Sequence, residues 1–124
     1  MEYLFVYGTL MRGEDREGLL MHLNPVPATS RGHLWHAAAG YPAFQADETG
    51  DPIHGELLPF RDPQLLRLLD LIEGVAEGLY SRIEVTVDGP DGVVTAWTYA
   101  MDRHQRRRAQ CKPVQATDWR TYRR

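Results

Sequence analysis

One helical pattern, set between extended patterns, places the strongest limit on how this chain can fold. Residues 62–74 read Asp-Pro-Gln-Leu-Leu-Arg-Leu-Leu-Asp-Leu-Ile-Glu-Gly. At about 100° per residue, one apolar arc collects five side chains, Leu65, Leu66, Leu68, Leu69 and Ile72. Asp62 suits the N-cap, Pro63 suits the first helical position, and Gly74 suits a left-handed residue that ends a helix. We therefore predict a helix that ends near Glu73.

Extended patterns lie on both sides of this helix. Apolar or alternating runs occupy residues 3–6, 53–60, 80–88 and 93–101, with shorter extended pieces at residues 32–35 and 40–44. The Gly-Pro-Asp-Gly turn at residues 89–92 joins two of these strands as an antiparallel hairpin. A short helix is predicted over residues 15–23. Strands around one solid helix indicate an α+β fold, with a small, mostly antiparallel sheet that can curl into a barrel.

Chain length and cysteine usage limit the class of protein. A chain of 124 residues fits one domain, which we place at residues 1–124. The single cysteine, Cys111, cannot form an internal disulfide, which favours a reducing compartment. No apolar run reaches the roughly 18 residues that a membrane span needs, and the N-terminus lacks the basic-then-apolar order of a signal peptide. We expect a cytoplasmic protein with no membrane association.

Charge is distributed unevenly along the chain. Residues 1–101 hold six Lys or Arg against fifteen Asp or Glu, whereas residues 102–124 hold eight against two. A basic tail on an acidic body is expected to fold back onto that body, and Trp119 and Tyr122 near the end predict that it docks. Binding of nucleic acid by residues 103–124 is the rival interpretation, and it requires strongly salt-dependent affinity.

The first strand ends at a glycine that has two interpretations. Gly8 follows Tyr7 and allows a sharp turn with no Cβ in the way. The N–H groups of Gly8, Thr9 and Leu10 would then face outward from the strand end, where they suit a carboxylate or a developing oxyanion. The alternative is an ordinary turn with a buried Tyr7.

Glu73 is the charged residue of the predicted helix that points most directly at the core. It falls inside the apolar arc, between the directions of Leu66 and Leu69, whereas Asp70 lies at the edge. Desolvation and the negative end of the helix dipole both favour the neutral form of a carboxyl group there, which suits a general acid or base. Two alternatives stay open: Glu73 turns to solvent at a frayed helix end, or it forms a structural ion pair with Arg82.

Other chemistries lack a supporting pattern. His33 and His36 lie three apart in an extended segment, where two imidazoles do not converge, and no third metal ligand is near in sequence. Cys111 has no partner histidine of the kind that activates a thiol. Neither of the common glycine-rich phosphate loops is present. We therefore predict no metal and no cofactor.

Five short motifs, in order, resemble the gamma-glutamylcyclotransferase-like family. They are Tyr7-Gly8-Thr9-Leu10, Gly32-His33-Leu34-Trp35 with Gly40-Tyr41-Pro42-Ala43, Ile53-His54-Gly55-Glu56-Leu57, Leu69-Asp70-Leu71-Ile72-Glu73-Gly74, and Tyr80-Ser81-Arg82. Trp97-Thr98-Tyr99 and Asp118-Trp119-Arg120-Thr121-Tyr122 extend the resemblance over nearly the whole chain. It is strongest to the short members of the family. One departure is Ile72, where the family usually has an aromatic residue.

The resemblance implies a fold and a set of site residues. The implied fold is a small mixed β-barrel with helices packed around it. Tyr7, Gly8, Thr9 and Leu10 correspond to the substrate-binding loop, Glu73 to the catalytic acid or base, and Tyr122 to a pocket residue. Arg82 is a candidate partner for a substrate anion, and a structural ion pair is the equal alternative.

The implied activity is a cyclisation that needs no cofactor. A γ-glutamyl group carries its own nucleophile, the α-amine, a few atoms from its γ-carbonyl, so that ring closure to 5-oxoproline needs a folded-back conformer and a base. The implied partner is a small γ-glutamyl amine or peptide, with no nucleic acid. A ligand-binding member of the same fold that does no chemistry is the alternative.

Overall fold

The computed structural model describes residues 1–8, residue 18 and residues 20–123. Thr9 and Leu10 lie outside these residues, as do residues 15–17 and 19 of the helix predicted over residues 15–23. In the described part of that stretch, Met21–Leu23 form a single 3-10 turn.

Seven strands and three α-helices make up the described chain. The strands are β1 (Glu2–Val6), β2 (Val26–His36), β3 (Pro42–Ala46), β4 (Asp51–Phe60), β5 (Ser81–Gly89), β6 (Gly92–Ala100) and β7 (Lys112–Val114). The helices are α1 (Gln64–Ile72), α2 (Arg103–Arg108) and α3 (Trp119–Arg123). None of the helices in the described part of the chain is long and apolar enough to cross a bilayer.

Five of the strands close into a barrel in the order β2-β4-β1-β6-β5, and pairing of β5 with β2 completes the ring. The β1–β6 pair is parallel and the other pairs of the ring are antiparallel, so the barrel is mixed. Strands β3 and β7 flank the second half of β2. The predicted α+β fold with a mostly antiparallel barrel is confirmed.

Strand β2 is longer than the sequence indicates. It runs for eleven residues and begins at Val26, although Pro27 reads as a chain breaker. Its first half pairs with β4 and its second half with β3, and Gly32 takes part in both pairings. A Cβ on Gly32 would lie 2.1 Å from the Gln45 carbonyl oxygen, so glycine is required where the strand changes partner. The predicted piece at residues 32–35 is the end of this long strand.

The barrel interior forms the apolar core. The largest fully buried side chains of the described strands include Leu4, Phe5, Leu34, Phe44, Ile53, Leu58 and Val87. Each contributes on the order of 1.5–3 kcal/mol through burial. Gly55 lets two strands meet, because a Cβ there would lie 2.2 Å from the Val6 carbonyl oxygen.

Helix α1 packs against the end of this core with two details that differ from expectation. Pro63, and not Asp62, is the N-cap, and the Asp62 side chain instead accepts a hydrogen bond from the Gln64 N–H at 2.9 Å. Leu68, placed in the predicted apolar arc, is 49% exposed, because the face that the helix buries is centred on Leu66 and Leu69. Gly74 has the predicted left-handed conformation, with φ of +65°.

The basic tail docks as predicted. Asp102 caps α2 by accepting the Gln105 N–H at 2.8 Å, while the Gln105 side chain accepts the Asp102 N–H at 2.9 Å. Helix α3 then returns the chain to the barrel, where the Trp119 side chain is fully buried. A short strand, β7, adds three residues to the edge of β2 between these helices.

Candidate active site

A cleft of about 190 Å³ lies where β1 ends and α1 ends. Tyr7 and Gly8 form one wall, and Glu73, just past α1, lies on another. Further walls come from Pro42 at the start of β3, Tyr80 just before β5 and Tyr99 on β6. The structure therefore brings together three of the predicted site residues, Tyr7, Gly8 and Glu73.

Tyr7 is held in place by a hydrogen bond to the neighbouring strand β6. Its phenol is buried and donates to the backbone carbonyl oxygen of Tyr99, on the strand that runs parallel to β1. Burial raises the pKa of Tyr7 well above the usual value, and nearby Tyr80 and Glu73 raise it further. The phenol is thus neutral and fixed at neutral pH. Tyr7 is buried, as the alternative interpretation expects, and it also forms one wall of the cleft.

Gly8 lets the end of β1 approach the opposite wall closely. A Cβ at this position would lie 2.4 Å from Cγ of Pro42, a separation that atoms do not adopt. Any larger residue would push β1 and the start of β3 apart. Glycine here is therefore explained by a close approach between two cleft walls.

Glu73 follows the last residue of α1 and is half-buried. Its N–H donates to the Leu69 carbonyl at 2.8 Å, so its backbone still belongs to the helical turn. The negative charge of Glu73 acts on the phenols of both Tyr7, just past β1, and Tyr99, on β6. The carboxyl group therefore faces the cleft from the helix side, and the alternative of a frayed, fully solvated end does not hold.

Three further tyrosines complete the cleft, and sequence reasoning gave none of them a role. The Tyr80 phenol donates to the Pro42 carbonyl oxygen, and the Tyr99 phenol donates to Asp70 Oδ1 at 2.7 Å. Tyr41 lies with its ring centroid 6.0 Å from that of Tyr80. The available signal was positional, because Tyr41, Tyr80 and Tyr99 each lie within a motif of the family resemblance.

Arg82 and Tyr122 do not line the cleft. Arg82 Nε donates to Asp70 Oδ1 at 2.9 Å, and its guanidinium group lies 4.7 Å from the centre of the Trp97 ring. Tyr122 is 40% exposed and shares a hydrogen bond of 2.7 Å with Nδ1 of His36. Of the two interpretations of Arg82, the structure shows the ion pair, and it places Tyr122 in the docked tail. Substrate contacts of these two residues stay predictions.

The two histidines considered for a metal lie apart. His33 shares a hydrogen bond with Asp47 at 2.8 Å, while His36 contacts Tyr122 and Trp119. Residues three apart in a strand point to opposite faces, which explains the separation. Thr9 and Leu10, the remaining predicted site residues, lie outside the described part of the chain.

The arrangement is suited to moving a proton beside a small ligand. Glu73 is a carboxyl group at a mostly apolar cleft, where neutral phenols and aliphatic side chains surround it. Limited water access strengthens the electrostatic interactions of such a group with a bound charge. A cationic amine in the cleft would be its natural counterpart. The fold and site define a small mixed-barrel protein with a candidate proton-transfer cleft at one barrel end.

Comparison with known proteins assigns the family. Residues 4–121 match the family model described as "Gamma-glutamyl cyclotransferase, AIG2-like". The chain belongs to this family, as the sequence motifs predicted.

Individual relatives agree with this assignment. The chain is 29% identical over 129 residues to a Niallia circulans protein named gamma-L-glutamyl-butirosin B gamma-glutamyl cyclotransferase, covering 99% of this chain and 78% of the relative. YkqA from Bacillus subtilis superposes with a TM-score of 0.72 at 27% identity, covering 97% of this chain but only 40% of YkqA. A mouse AIG2-like protein shares the fold, with a TM-score of 0.66 at 23% identity over 82% of this chain and 77% of that protein.

Proposed function

We propose that this protein is a cofactor-independent γ-glutamyl cyclotransferase. It would act on a γ-glutamyl amine or peptide and release 5-oxoproline and a free amine. The observation that carries the proposal is the placement of Glu73 on a 190 Å³ cleft, where its charge acts on Tyr7 just past β1 and on Tyr99 of the neighbouring strand β6. Family membership and the name of the Niallia circulans relative support the same activity.

Glu73 would act first as a base and then as an acid. Its carboxylate accepts a proton from the α-ammonium group of the substrate, and the freed amine attacks the γ-carbonyl carbon. A new C–N bond closes the five-membered ring, and the carbonyl oxygen carries the charge of the tetrahedral intermediate. Glu73 then returns this proton to the leaving nitrogen as the original C–N bond breaks. The ring nitrogen also gives up its second proton, which the released amine takes up. The products are the neutral lactam 5-oxoproline and a protonated amine, so no further reactant is needed.

The cleft walls would supply the conformation that ring closure needs. A γ-glutamyl chain must fold back on itself before its amine can reach its own carbonyl, and a confined site favours that conformer. Tyr7 is fixed by its hydrogen bond to Tyr99, and Gly8 lets the wall opposite Pro42 approach closely. The N–H groups at Gly8, Thr9 and Leu10 would hold either the substrate carboxylate or the oxyanion.

The test is release of 5-oxoproline from three γ-glutamyl compounds. Purified protein is incubated with γ-glutamyl-ε-lysine, γ-glutamyl-alanine and glutathione, and 5-oxoproline is quantified by mass spectrometry. We expect turnover of at least one compound, and we expect Glu73→Gln to reduce its kcat by about 10²–10⁴-fold.

Glu77→Gln is the matched control, because Glu77 is an exposed carboxylate four residues away that does not line the cleft. It should retain wild-type turnover. Absence of 5-oxoproline from all three compounds, with binding of any of them still detectable, would replace the proposal with the non-catalytic ligand-binding alternative.

A further inference from the structure

Asp70 lies one helical turn before Glu73 and makes two hydrogen bonds through a single oxygen. Its Oδ1 accepts the Tyr99 phenol at 2.7 Å and Arg82 Nε at 2.9 Å. Both side chains of the Asp70–Arg82 pair are largely shielded, with 27% and 28% of their surfaces exposed. Because Asp70 accepts one hydrogen bond from Arg82 and another from Tyr99 in a shielded place, the pair holds its geometry better than an exposed surface pair does.

These contacts connect Asp70 to the cleft. Tyr99 lines the cleft with its side chain, and its backbone carbonyl oxygen accepts the Tyr7 phenol. Asp70 on α1 therefore holds Tyr99 on β6, and Tyr99 in turn holds Tyr7 at the end of β1. Three walls of the cleft are linked through two hydrogen bonds.

Several charged and titratable groups lie near Glu73. Asp70 and Glu73 lie three apart, a spacing that places Cβ atoms about 5–6 Å apart on a helix. Among the described residues, the charged or titratable groups in this region include Asp70, Glu77, Tyr7, Tyr41, Tyr80, Tyr99, Arg82, Cys111 and Arg108. The Arg82 guanidinium group pairs directly with Asp70, at 2.9 Å. An unbalanced Asp70 would oppose the ionised form of Glu73, since like charges disfavour each other.

We propose that Asp70 and Arg82 form a positioning pair for Glu73: Asp70 fixes the Tyr99 wall, and Arg82 cancels the Asp70 charge so that Glu73 stays ionised. Its catalytic consequence rests on the proposed cyclotransferase function, but the charge balance itself does not. Arg82 thereby has a role in the site without touching substrate.

The test uses NMR to monitor the pH titration of the Glu73 carboxyl carbon in protein labelled with ¹³C-glutamate. The Glu73 signal is identified by its absence in Glu73→Gln. Arg82→Gln should raise the titration midpoint by about 0.5–1 pH unit, because the Asp70 charge is left unbalanced. Asp70→Asn should lower it by a similar amount, because the Arg82 charge is then left unbalanced. The double variant should return close to the wild-type midpoint.

Two controls separate charge balance from folding. Arg67→Gln removes the same charge from the exposed side of α1 and should leave the midpoint unchanged. Arg82→Lys keeps the charge and should restore the midpoint even if it loses the stacking on Trp97. Midpoints of Arg82→Gln and Asp70→Asn that both lie within about 0.2 pH unit of wild type would overturn the proposal.

Kinetics then distinguish the two proposals. If 5-oxoproline is released, the acid limb of the pH–kcat profile should move in the same direction as the NMR midpoint in each variant. If the Glu73 NMR midpoint moves in the variants but no 5-oxoproline is released, the proposed function is contradicted and the positioning pair stands. If 5-oxoproline is released but the midpoint does not move, the positioning pair is contradicted and the proposed function stands.

Discussion

Two aromatic clusters in this molecule use similar residues for opposite purposes. At the cleft, the phenols of Tyr7 and Tyr80 donate to backbone carbonyl oxygens, and their rings border an open volume of about 190 Å³. At the docked tail, Trp119, Tyr122 and His36 contact one another directly, with ring centroids 5.3–5.6 Å apart.

The difference shows how an aromatic-rich barrel can keep a hollow. At the cleft, hydrogen bonds from ring hydroxyls to strand carbonyls fix the wall. Other rings pack beside it, as Phe44 does beside Tyr7 at 5.4 Å, but the volume in front of the wall stays open. Ring-to-ring packing fills its space and derives its stability from burial. Changes at the tail should therefore reduce folding stability, whereas changes at the cleft should mainly reduce ligand binding and turnover.

The largest expected effect on stability comes from removing the tail's buried anchor. Trp119 is fully buried, so Trp119→Ala should lower the free energy of unfolding by about 3–5 kcal/mol. Chemical denaturation followed by circular dichroism measures this loss. Turnover per folded molecule should be retained, and a selective loss of turnover with stability intact would contradict the division between the two clusters.

At the cleft, adding one methyl group should reduce kcat/KM more than it reduces folding stability. In Gly8→Ala, the new Cβ would collide with Pro42 and displace a wall, so we expect kcat/KM to fall by about 10–100-fold. Gly18→Ala is the matched control, because nothing lies within 4 Å of a Cβ at that exposed position. Equal kinetics for the two variants would show that the Gly8 wall does not shape the site.

Removal of the Tyr7 hydroxyl should affect both stability and its dependence on pH. Tyr7→Phe leaves the Tyr99 carbonyl without this donor and should cost about 1–3 kcal/mol at pH 7. Because burial raises the pKa of Tyr7, the unfolded state ionises first, and the stabilisation is lost as pH rises above the ordinary value of 10.0.

The wild-type protein should therefore lose stability more steeply above pH 10 than Tyr7→Phe does. Thermal unfolding between pH 8 and pH 11 would measure this difference. Tyr122→Phe, which removes an exposed hydroxyl from the tail cluster, should follow the wild-type slope. Parallel slopes for Tyr7→Phe and wild type would indicate that Tyr7 is not withdrawn from water.

The smallest expected effect lies outside both clusters. The hydrogen bond from His33, followed by those from Thr49, lowers the pKa of Asp47 from 3.8 to about 2. A lowered folded pKa stabilises the protein above pH 3.8, and this contribution is lost as pH falls towards 2. Asp47→Asn should show a slightly flatter acid-unfolding profile, and a steeper one would contradict the assignment.

Sequence reasoning succeeded where local chemistry decides the structure. The hairpin of β5 and β6 follows from its Gly-Pro-Asp-Gly turn, and Gly74 ends α1 because its left-handed conformation is easiest for glycine. Helical spacing pointed Glu73 towards the core, and the structure places it on a wall of the cleft, while its catalytic role stays a prediction. Each of these conclusions depends on residues that are close together in the chain.

The remaining features depend on contacts between distant residues. Tyr7 meets Tyr99 across 92 positions, and no local pattern specifies that pairing. Arg82 had two carboxylates of one helix within reach, and a helical wheel does not show that it pairs with Asp70. The length of β2 was missed because Pro27 reads as a break, although the pairing of β2 with β4 overrides it.

The most direct test of the account is where 5-oxoproline, the product of the proposed reaction, binds. Titration of ¹⁵N-labelled wild-type protein with 5-oxoproline should shift the amide signals of Tyr7, Gly8 and Glu73 first, with little change in the groove that includes Asp47 and Glu84. Shifts confined to that groove or to the basic helix α2, with the cleft amides unmoved, would contradict the central claim.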